Sequence, residues 1–178
     1  DYDFQILNSV LDVNDAQRRM MVDRISDYYD GDLEGKTIAI WGLAFKPNTD
    51  DIREAPSHII IRELLDRGAT VQGFDPEAIE TTREVFGDAI TYADSMYSAL
   101  DGADLLLICT EWHEFRRPNF ETVQEKLAEP VIFDGRNLYD LERMAEMGFA
   151  YYSVGRPHHP PEQNPEAIEA AITQNGTA

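Results

Sequence analysis

The feature that most constrains the fold is a regular alternation of apolar runs with amphipathic segments between residues 37 and 154. The apolar runs are short and rich in β-branched, leucine and aromatic residues, which is typical of strands. The segments between them repeat apolar residues every three or four positions, which is the helical period. Strands that alternate with helices indicate an α/β fold with a doubly wound, mainly parallel sheet. The predicted strands are residues 37–41, 70–74, 89–92, 104–110, 131–134 and 149–154, and the predicted helices run from Pro56 until Gly68 ends the helix, and over residues 77–86, 95–100, 120–127 and 141–147.

One segment precedes this alternation and another follows it. Residues up to about 29 repeat apolar positions at helical spacing and predict a long N-terminal helix. The pattern is under way at residue 1 without an N-cap signal, so we expect the chain to be an excised piece of a longer protein. A helix face rich in Met, Ile and Val must be buried against something, which leaves open a role as a dimerisation module. We divide the chain into a helix with its linker (residues 1–34), the α/β domain (residues 35–157) and a C-terminal tail (residues 158–178) with a short helix near residues 166–172.

The composition is strongly acidic. The chain has 34 Asp and Glu against 15 Lys and Arg, of which only three are Lys, so its net charge is −19. No basic stripe is present, which argues against binding to nucleic acid. Such charge often marks disorder, but the regular apolar strands argue for a folded domain. We expect a salt-adapted protein, because concentrated salt screens the self-repulsion of an acidic surface.

The single cysteine and the hydropathy pattern bear on the compartment. Cys109 alone cannot form an internal disulfide, which fits a reducing cytoplasm. It follows an apolar run, so we predict a buried small apolar residue and not a nucleophile. No run approaches the roughly 18 apolar residues that span a membrane, and no signal-peptide pattern opens the chain. We therefore expect a cytoplasmic protein.

The loop after the first predicted strand has the sequence GLAFKPNTDDIRE at residues 42–54. Doubly wound proteins place their ligand at such a position. Only Gly42 remains of the Gly-x-Gly-x-x-Gly fingerprint of dinucleotide-binding folds, because Ala44 and Pro47 occupy the later glycine positions. A backbone built this way cannot approach a pyrophosphate closely, which counts against an independent NAD-binding domain.

The same loop offers side chains in place of backbone. Phe45 supplies an aromatic face, Lys46 an ammonium and Arg53 a guanidinium. Arg136 directly follows a later predicted strand and is expected at the same edge of the sheet. Cations beside an aromatic ring suit a diphosphate attached to a base. The pattern therefore predicts a nucleotide ligand that is held by side chains.

Several of these residues have an equally simple structural interpretation. Phe45 could pack under its loop, and Arg53 could form a solvated ion pair with Asp50, Asp51 or Glu54, which would contribute little to stability. Asp75 resembles the ribose-binding acid of dinucleotide folds, but a cap or turn role beside Pro76 is favoured. Trp112 is expected to pack in the core or in a lid. The histidines at 113, 158 and 159 form no convincing ligand set, so we predict no metal site, and no nucleophile or catalytic triad is visible.

Four segments in order resemble the C-terminal part of the UDP-glucose 6-dehydrogenases. They are residues 42–54, 74–76, 109–112 and 133–137, with the start of the chain around residues 13–15 in agreement. The wider family also oxidises UDP-N-acetylmannosamine and GDP-mannose, and these substrates remain alternatives. The segment at residues 110–112 is most similar to the UDP-glucose branch.

The resemblance implies a Rossmann-like domain, preceded by part of a central helix through which the full-length enzyme forms a homodimer. It implies that Phe45, Lys46 and Arg136 bind UDP-glucose and that Arg53 reaches NAD, which is bound mainly by another domain. The family oxidises the sugar C6 alcohol to a carboxylate with two NAD and a covalent thio-intermediate. Its catalytic cysteine and its lysine–asparagine pair would lie upstream of residue 1. We therefore expect this piece to bind the nucleotide sugar without turning it over.

Overall fold

The structure is a computed structural model, and it describes residues 19–156. Within these residues, six strands form one sheet in the order β3-β2-β1-β4-β5-β6, and every neighbouring pair is parallel. This order is that of the doubly wound dinucleotide-binding folds. The strands are β1 (Thr37–Trp41), β2 (Thr70–Phe74), β3 (Thr91–Tyr92), β4 (Leu105–Ile108), β5 (Val131–Asp134) and β6 (Ala150–Ser153), and the helices are α1 (residues 19–28), α2 (Pro56–Asp66), α3 (Ile79–Phe86), α4 (Phe120–Lys126) and α5 (Leu141–Glu146).

Helices cover the sheet on both faces, which makes its central strands apolar throughout. Alternate residues of β1 enter different cores: Ile38 and Ile40 pack on one face, and Ala39 and Trp41 on the other. The first face is covered by α1, α2 and α3, and the second by α4 and α5. The predicted doubly wound α/β fold is therefore confirmed, with a wholly parallel sheet in the described part of the chain.

The described part of α1 packs on its own domain. Met21, Val22 and Ile25 are all buried in the first core, at 4%, 0% and 0% exposure. This apolar face therefore needs no second subunit to cover it, which weakens the case for a dimerisation module at these residues. The rest of the predicted N-terminal helix, the tail helix near residues 166–172 and the histidines at 158 and 159 lie outside the described residues.

The predicted elements differ in accuracy. The strand predicted at 104–110, at the centre of the sheet, is too long, since β4 covers only Leu105–Ile108. The strands predicted at 37–41, 70–74 and 131–134 are confirmed over their full length. The strand predicted at 89–92 is wrong at its start, since Gly87–Ala89 is a 3-10 turn and only Thr91–Tyr92 pairs with β2. The helix predicted at 95–100 is also wrong, because only Ser98–Leu100 forms a 3-10 turn. There the hydroxyls of Ser95 and Ser98 accept hydrogen bonds from each other's backbone N–H, at 3.0 and 2.9 Å, which favours a tight turn over a helix.

Candidate functional site

The crevice of the domain lies where β1 and β4 run side by side at the centre of the sheet. Strand order reverses at this point, and ligands of such folds bind beyond the carboxyl ends of these strands. Gly42 follows β1 with φ +94°, and a Cβ there would lie 2.5 Å from Cβ and 2.6 Å from the backbone N of Thr110. Only glycine lets the loop after β1 lie this close to the end of β4.

The backbone donors of this loop are occupied by a buried carboxylate. Asp75, which is 1% exposed, accepts hydrogen bonds at Oδ2 from the backbone N–H of Leu43 at 2.7 Å and of Ala44 at 3.0 Å. In a glycine-rich loop such N–H groups would face a pyrophosphate. Here the protein supplies the anion itself, so a bound phosphate must find its donors elsewhere.

The second oxygen of Asp75 is also used internally. Oδ1 accepts hydrogen bonds from the backbone N–H of Glu77 and of Ala78, both at 2.9 Å, and so fixes the turn that leads into α3. The predicted turn role is confirmed. A ribose-binding role would need a carboxylate oxygen free to face the crevice, and both oxygens are already bonded.

Three consecutive residues after β4 tie the other strand ends together, and we call Thr110, Glu111 and Trp112 the connector. The Thr110 hydroxyl donates to the carbonyl of Ala44 at 2.7 Å, and the Trp112 indole N–H donates to Asp75 Oδ2 at 3.1 Å. Between them, Glu111 forms an ion pair with Arg136 in the loop after β5. Trp112 is 7% exposed, so the predicted core packing is confirmed.

A second buried carboxylate shapes the loop after β5. Asp134 is fully buried and accepts hydrogen bonds from the backbone N–H of Arg136 and of Leu138, both at 2.7 Å. The Tyr151 hydroxyl donates to the same carboxylate at 2.6 Å, and burial together with Asp134 raises the pKa of that phenol. The backbone position of Arg136 is therefore set by the interior of the domain. We call Gly42, Asp75, Thr110, Trp112 and Asp134 the floor of the crevice.

Other side chains of the first loop face solvent. Phe45 is 48% exposed and Lys46 is also exposed, so the ring does not pack under the loop. The Phe45 backbone N–H donates to the carbonyl of Asp51 at 2.8 Å, which closes the loop on itself. We call Phe45, Lys46, Arg53 and Arg136 the rim of the crevice.

Arg53 forms the solvated ion pair that its neighbours predict. Its side chain is 87% exposed, and its guanidinium binds both carboxylate oxygens of Asp51 at 2.9 and 2.8 Å. Hydrogen bonds from Arg53 hold the pKa of Asp51 well below its usual range. An exposed pair of this kind contributes little to stability, so its guanidinium can exchange Asp51 for another anion.

Arg136 also borders a separate cavity of about 340 Å³ between α1, α2 and the ends of β4 and β5. Phe45, Lys46 and Arg53 do not line it, so the structure places the rim residues of the first loop apart from this cavity. The lining is mostly apolar: Met20, Met21, Pro56, Ile60, Leu107, Ile108, Cys109, Gly135, Arg136 and Val154.

Cys109 was predicted to lie in the strand as a buried small apolar residue. It instead follows the end of β4 and is half-buried at the cavity. Burial of the sulfur nevertheless raises the pKa of its thiol to about 12. The side chain is therefore a neutral thiol near pH 7, which agrees with its exclusion as a nucleophile.

Residues 19–156 contain no group of three His, Cys, Asp or Glu side chains that could hold a metal ion. None of the helices in that range is long and apolar enough to cross a membrane.

Sequence reasoning missed Glu111. In a chain with 34 acidic residues, one more carboxylate carries no signal by its type. Its position does carry one, because it lies just beyond the carboxyl end of β4, next to the strand that Arg136 follows. A search for acid–base pairs between neighbouring strand ends would have found it.

Residues 39–141 match the UDP binding domain of the UDP-glucose/GDP-mannose dehydrogenase family. A UDP-glucose 6-dehydrogenase of Pseudomonas aeruginosa is 42% identical over 161 residues, which cover 88% of this chain and 36% of that protein. The UDP-glucose 6-dehydrogenase TuaD of Bacillus subtilis is 40% identical over 156 residues, covering 88% of this chain and 34% of that protein.

Among solved structures, a UDP-glucose dehydrogenase from the hyperthermophilic archaeon Pyrobaculum islandicum superposes with a TM-score of 0.72 at 33% identity. The match covers 84% of this chain and 32% of that one. The chain thus spans about a third of the length of the relatives that it matches.

Proposed function

This chain belongs to the UDP-glucose/GDP-mannose dehydrogenase family, and on that premise we propose that its crevice binds the UDP part of UDP-glucose for an NAD-dependent 6-dehydrogenase. The observation that carries the proposal is the use of the Leu43 and Ala44 backbone donors by Asp75. A diphosphate in this crevice has to be held by side chains, and cationic side chains stand at its rim.

Each substrate-binding residue has a role that suits its surroundings. Lys46 is one of only three lysines in the chain and is exposed on the loop after β1, where it can meet the diphosphate as a point charge. Arg136 presents a planar guanidinium, which can bind phosphate oxygens in pairs. Phe45 offers an exposed ring on which an aromatic or sugar ring can stack.

We assign Arg53 to the NAD side of the site. Its side chain is 87% exposed and, among residues 19–156, pairs with Asp51 of its own loop, so the guanidinium is open to a ligand from outside this domain. A guanidinium in that position suits a phosphate of a cofactor that another part of the protein holds.

We also propose that the 178-residue chain binds the nucleotide sugar without oxidising it. In the proposed reaction, two NAD would accept the two hydrides from the sugar C6, a thiolate would carry the oxidised carbon, and water would release it as the carboxylate. The pKa of Cys109, the only cysteine of the chain, is raised to about 12, so it is a poor source of thiolate.

Two further features of the whole protein follow from the same family membership and from composition. We propose that the full-length enzyme is a homodimer formed through its central helix, and that the protein is adapted to concentrated salt. The net charge of −19 supports the second proposal, and a free energy of unfolding that increases between about 0.15 M and about 1 M potassium chloride would agree with it.

Calorimetric titration of UDP, UDP-glucose, UDP-N-acetylmannosamine and GDP-mannose into the chain, at low and at high salt, tests the proposed function. We expect binding of UDP and UDP-glucose, weaker binding of GDP-mannose, and about tenfold weaker UDP binding by Lys46→Ala, which is about 1.4 kcal/mol. Lys126→Ala is the matched control, because it also removes one lysine charge. Lys126 pairs with Asp101 at the opposite end of the strands, away from the crevice. The proposal fails if UDP does not bind or if both lysine variants bind it equally.

A further inference from the structure

We propose that Glu111 is a positioning residue for the diphosphate, because it holds the Arg136 guanidinium in place at the crevice. The inference rests on the proposed function, and it adds to that function a residue that touches no ligand itself. Glu111 acts through Arg136, and its contribution to binding should vanish when Arg136 is removed.

The backbone of Glu111 is fixed on both sides. The residue before it, Thr110, is hydrogen-bonded to the loop after β1, and the residue after it, Trp112, is hydrogen-bonded to buried Asp75. Neither neighbour can shift without breaking a buried contact. The Glu111 carboxylate is therefore presented from a rigid segment of the floor.

Arg136 is anchored in the same manner from the other strand. Its backbone N–H donates to Asp134 at 2.7 Å, and Asp134 is fully buried. The ion pair between Arg136 Nε and Glu111 Oε2 thus joins two backbone positions that are each fixed by the interior. An arginine side chain that is already held loses less conformational freedom when a ligand binds.

The exposure of the two partners shows which one a ligand meets first. The Arg136 side chain is 41% exposed and that of Glu111 is 26% exposed. The Oε2 atom that faces Arg136 is shielded from solvent. The carboxylate therefore lies behind the guanidinium, and an anion that approaches from solvent reaches the cation first. This arrangement supports the guanidinium more than it competes with a phosphate for it.

The state of the carboxylate agrees with this geometry. The hydrogen bond from Arg136 lowers the pKa of Glu111, and the charge of Arg136 acts in the same direction. The Glu111 carboxylate is therefore ionised at neutral pH.

A double-mutant cycle with UDP as the probe tests the inference, with Kd measured by calorimetry for the wild-type chain, Glu111→Ala, Arg136→Ala and the combined variant. We expect about fivefold weaker binding for Glu111→Ala and about tenfold weaker binding for Arg136→Ala. The combined variant should bind no more weakly than Arg136→Ala alone, because Glu111 has no other route to the ligand. Glu111→Gln, which keeps an acceptor for Arg136 Nε, should recover part of the loss.

A purely structural role would give a different pattern. If Glu111 only supported the connector, its removal would weaken UDP binding as much in the Arg136→Ala background as in the wild type. If the carboxylate competed with the phosphates, Glu111→Ala and Glu111→Gln would both bind UDP more tightly. Either result overturns the positioning role.

The outcomes also separate this inference from the proposed function. A wild-type chain that does not bind UDP overturns both. A wild-type chain that binds UDP and is weakened by Arg136→Ala, but not by Glu111→Ala, overturns the positioning role alone. Arg136→Ala leaves a buried carboxylate oxygen without its partner, so Arg136→Gln provides a second variant if the first does not fold.

Discussion

The floor and the rim of the crevice are made from the same few strand ends, but their polar groups are used in opposite ways. Asp75 in the floor is 1% exposed, and its two oxygens accept hydrogen bonds from three different segments. Arg53 on the rim is 87% exposed and is held by one neighbour two residues away. The polar side chains of the floor are hydrogen-bonded inside the domain, whereas the side chains of the rim are exposed to solvent, where a ligand can reach them.

The difference shows how an α/β domain can lose the glycine fingerprint and still serve as a nucleotide site. A carboxylate of the protein takes the place that a phosphate has in a glycine-rich loop. In the proposed function the loop is a fixed platform, and the side chains that it carries would recognise the ligand. Substitutions in the floor should therefore change folding, and those at the exposed rim residues Phe45, Lys46 and Arg53 should change binding alone.

The largest effect should come from Asp75→Ala. It leaves the buried N–H groups of Leu43, Ala44 and Trp112 without their acceptor, and hydrogen bonds to charged groups contribute about 1.5–3 kcal/mol each. We expect urea unfolding to show a loss of about 3–5 kcal/mol. The matched control is Asp94→Ala at an exposed position. A loss below about 1 kcal/mol would mean that Asp75 does not hold the floor together.

Gly42→Ala should be the next most harmful change. The new Cβ would lie 2.5 Å from the Thr110 side chain at a φ of +94°, so both a steric clash and backbone strain oppose it. We expect a loss of about 2–4 kcal/mol in the free energy of unfolding. Gly35→Ala, with φ +76° and open space around it, isolates the backbone strain at about 1–2 kcal/mol. Equal losses at the two sites would show that the contact between β1 and β4 is not tight.

A buried histidine in α2 predicts that the stability of the domain depends on pH. His58 in α2 is 8% exposed, and burial lowers its pKa to about 4, with Arg62 acting in the same direction. The unfolded chain, with a histidine pKa of about 6.5, binds more protons between these values, so His58 costs stability as pH falls from about 6.5 to about 4.

Replacing His58 isolates this contribution. His58→Gln should reduce the loss of unfolding free energy between pH 7 and about 4.5 by on the order of 2 kcal/mol relative to the wild type. The carboxylates titrate in both proteins and cancel in the comparison. Identical pH profiles of the two proteins would show that the ring titrates normally in the fold.

The smallest effect should come from Arg53→Ala. Because the side chain is exposed and its ion pair is with Asp51 in the same loop, the midpoint of unfolding should not change measurably. UDP should bind with unchanged affinity, since Arg53 is assigned to the cofactor side of the site. Arg83→Ala in α3 is the control for loss of one exposed arginine. Weaker UDP binding by Arg53→Ala alone would move Arg53 to the nucleotide-sugar side.

The accuracy of the sequence-based predictions also differs between regions of the domain. β1 and β5 were predicted over their full length because they are apolar runs packed between two layers of helices, and β2 because Asp75 and Pro76 mark its end. β4 was overextended because its apolar run continues into Cys109. β3 was overextended because it lies at the sheet edge, where two residue pairs hold it and local turns decide the rest. Rim residues were visible by their chemical types, since each stands out in its loop.

The floor was less predictable because its contacts join distant parts of the chain. Asp75 binds Leu43 and Trp112, which lie 32 and 37 residues away. No short sequence motif indicates that Leu43 and Trp112 donate to the same carboxylate. The role of Glu111 was missed for a related reason, because its partner Arg136 lies in the loop after a different strand, β5.

The most direct test of the central claim is the affinity for UDP of a variant that lacks the two rim cations assigned to the nucleotide sugar, Lys46→Ala with Arg136→Ala, measured by calorimetry. Circular dichroism on the same sample would establish that the variant is folded. If side chains hold the diphosphate, a folded double variant should bind UDP at least about 30-fold more weakly than the wild type, which is about 2 kcal/mol. A folded double variant that binds UDP as tightly as the wild type would contradict the account, because the ligand would then be held by the backbone or at another site.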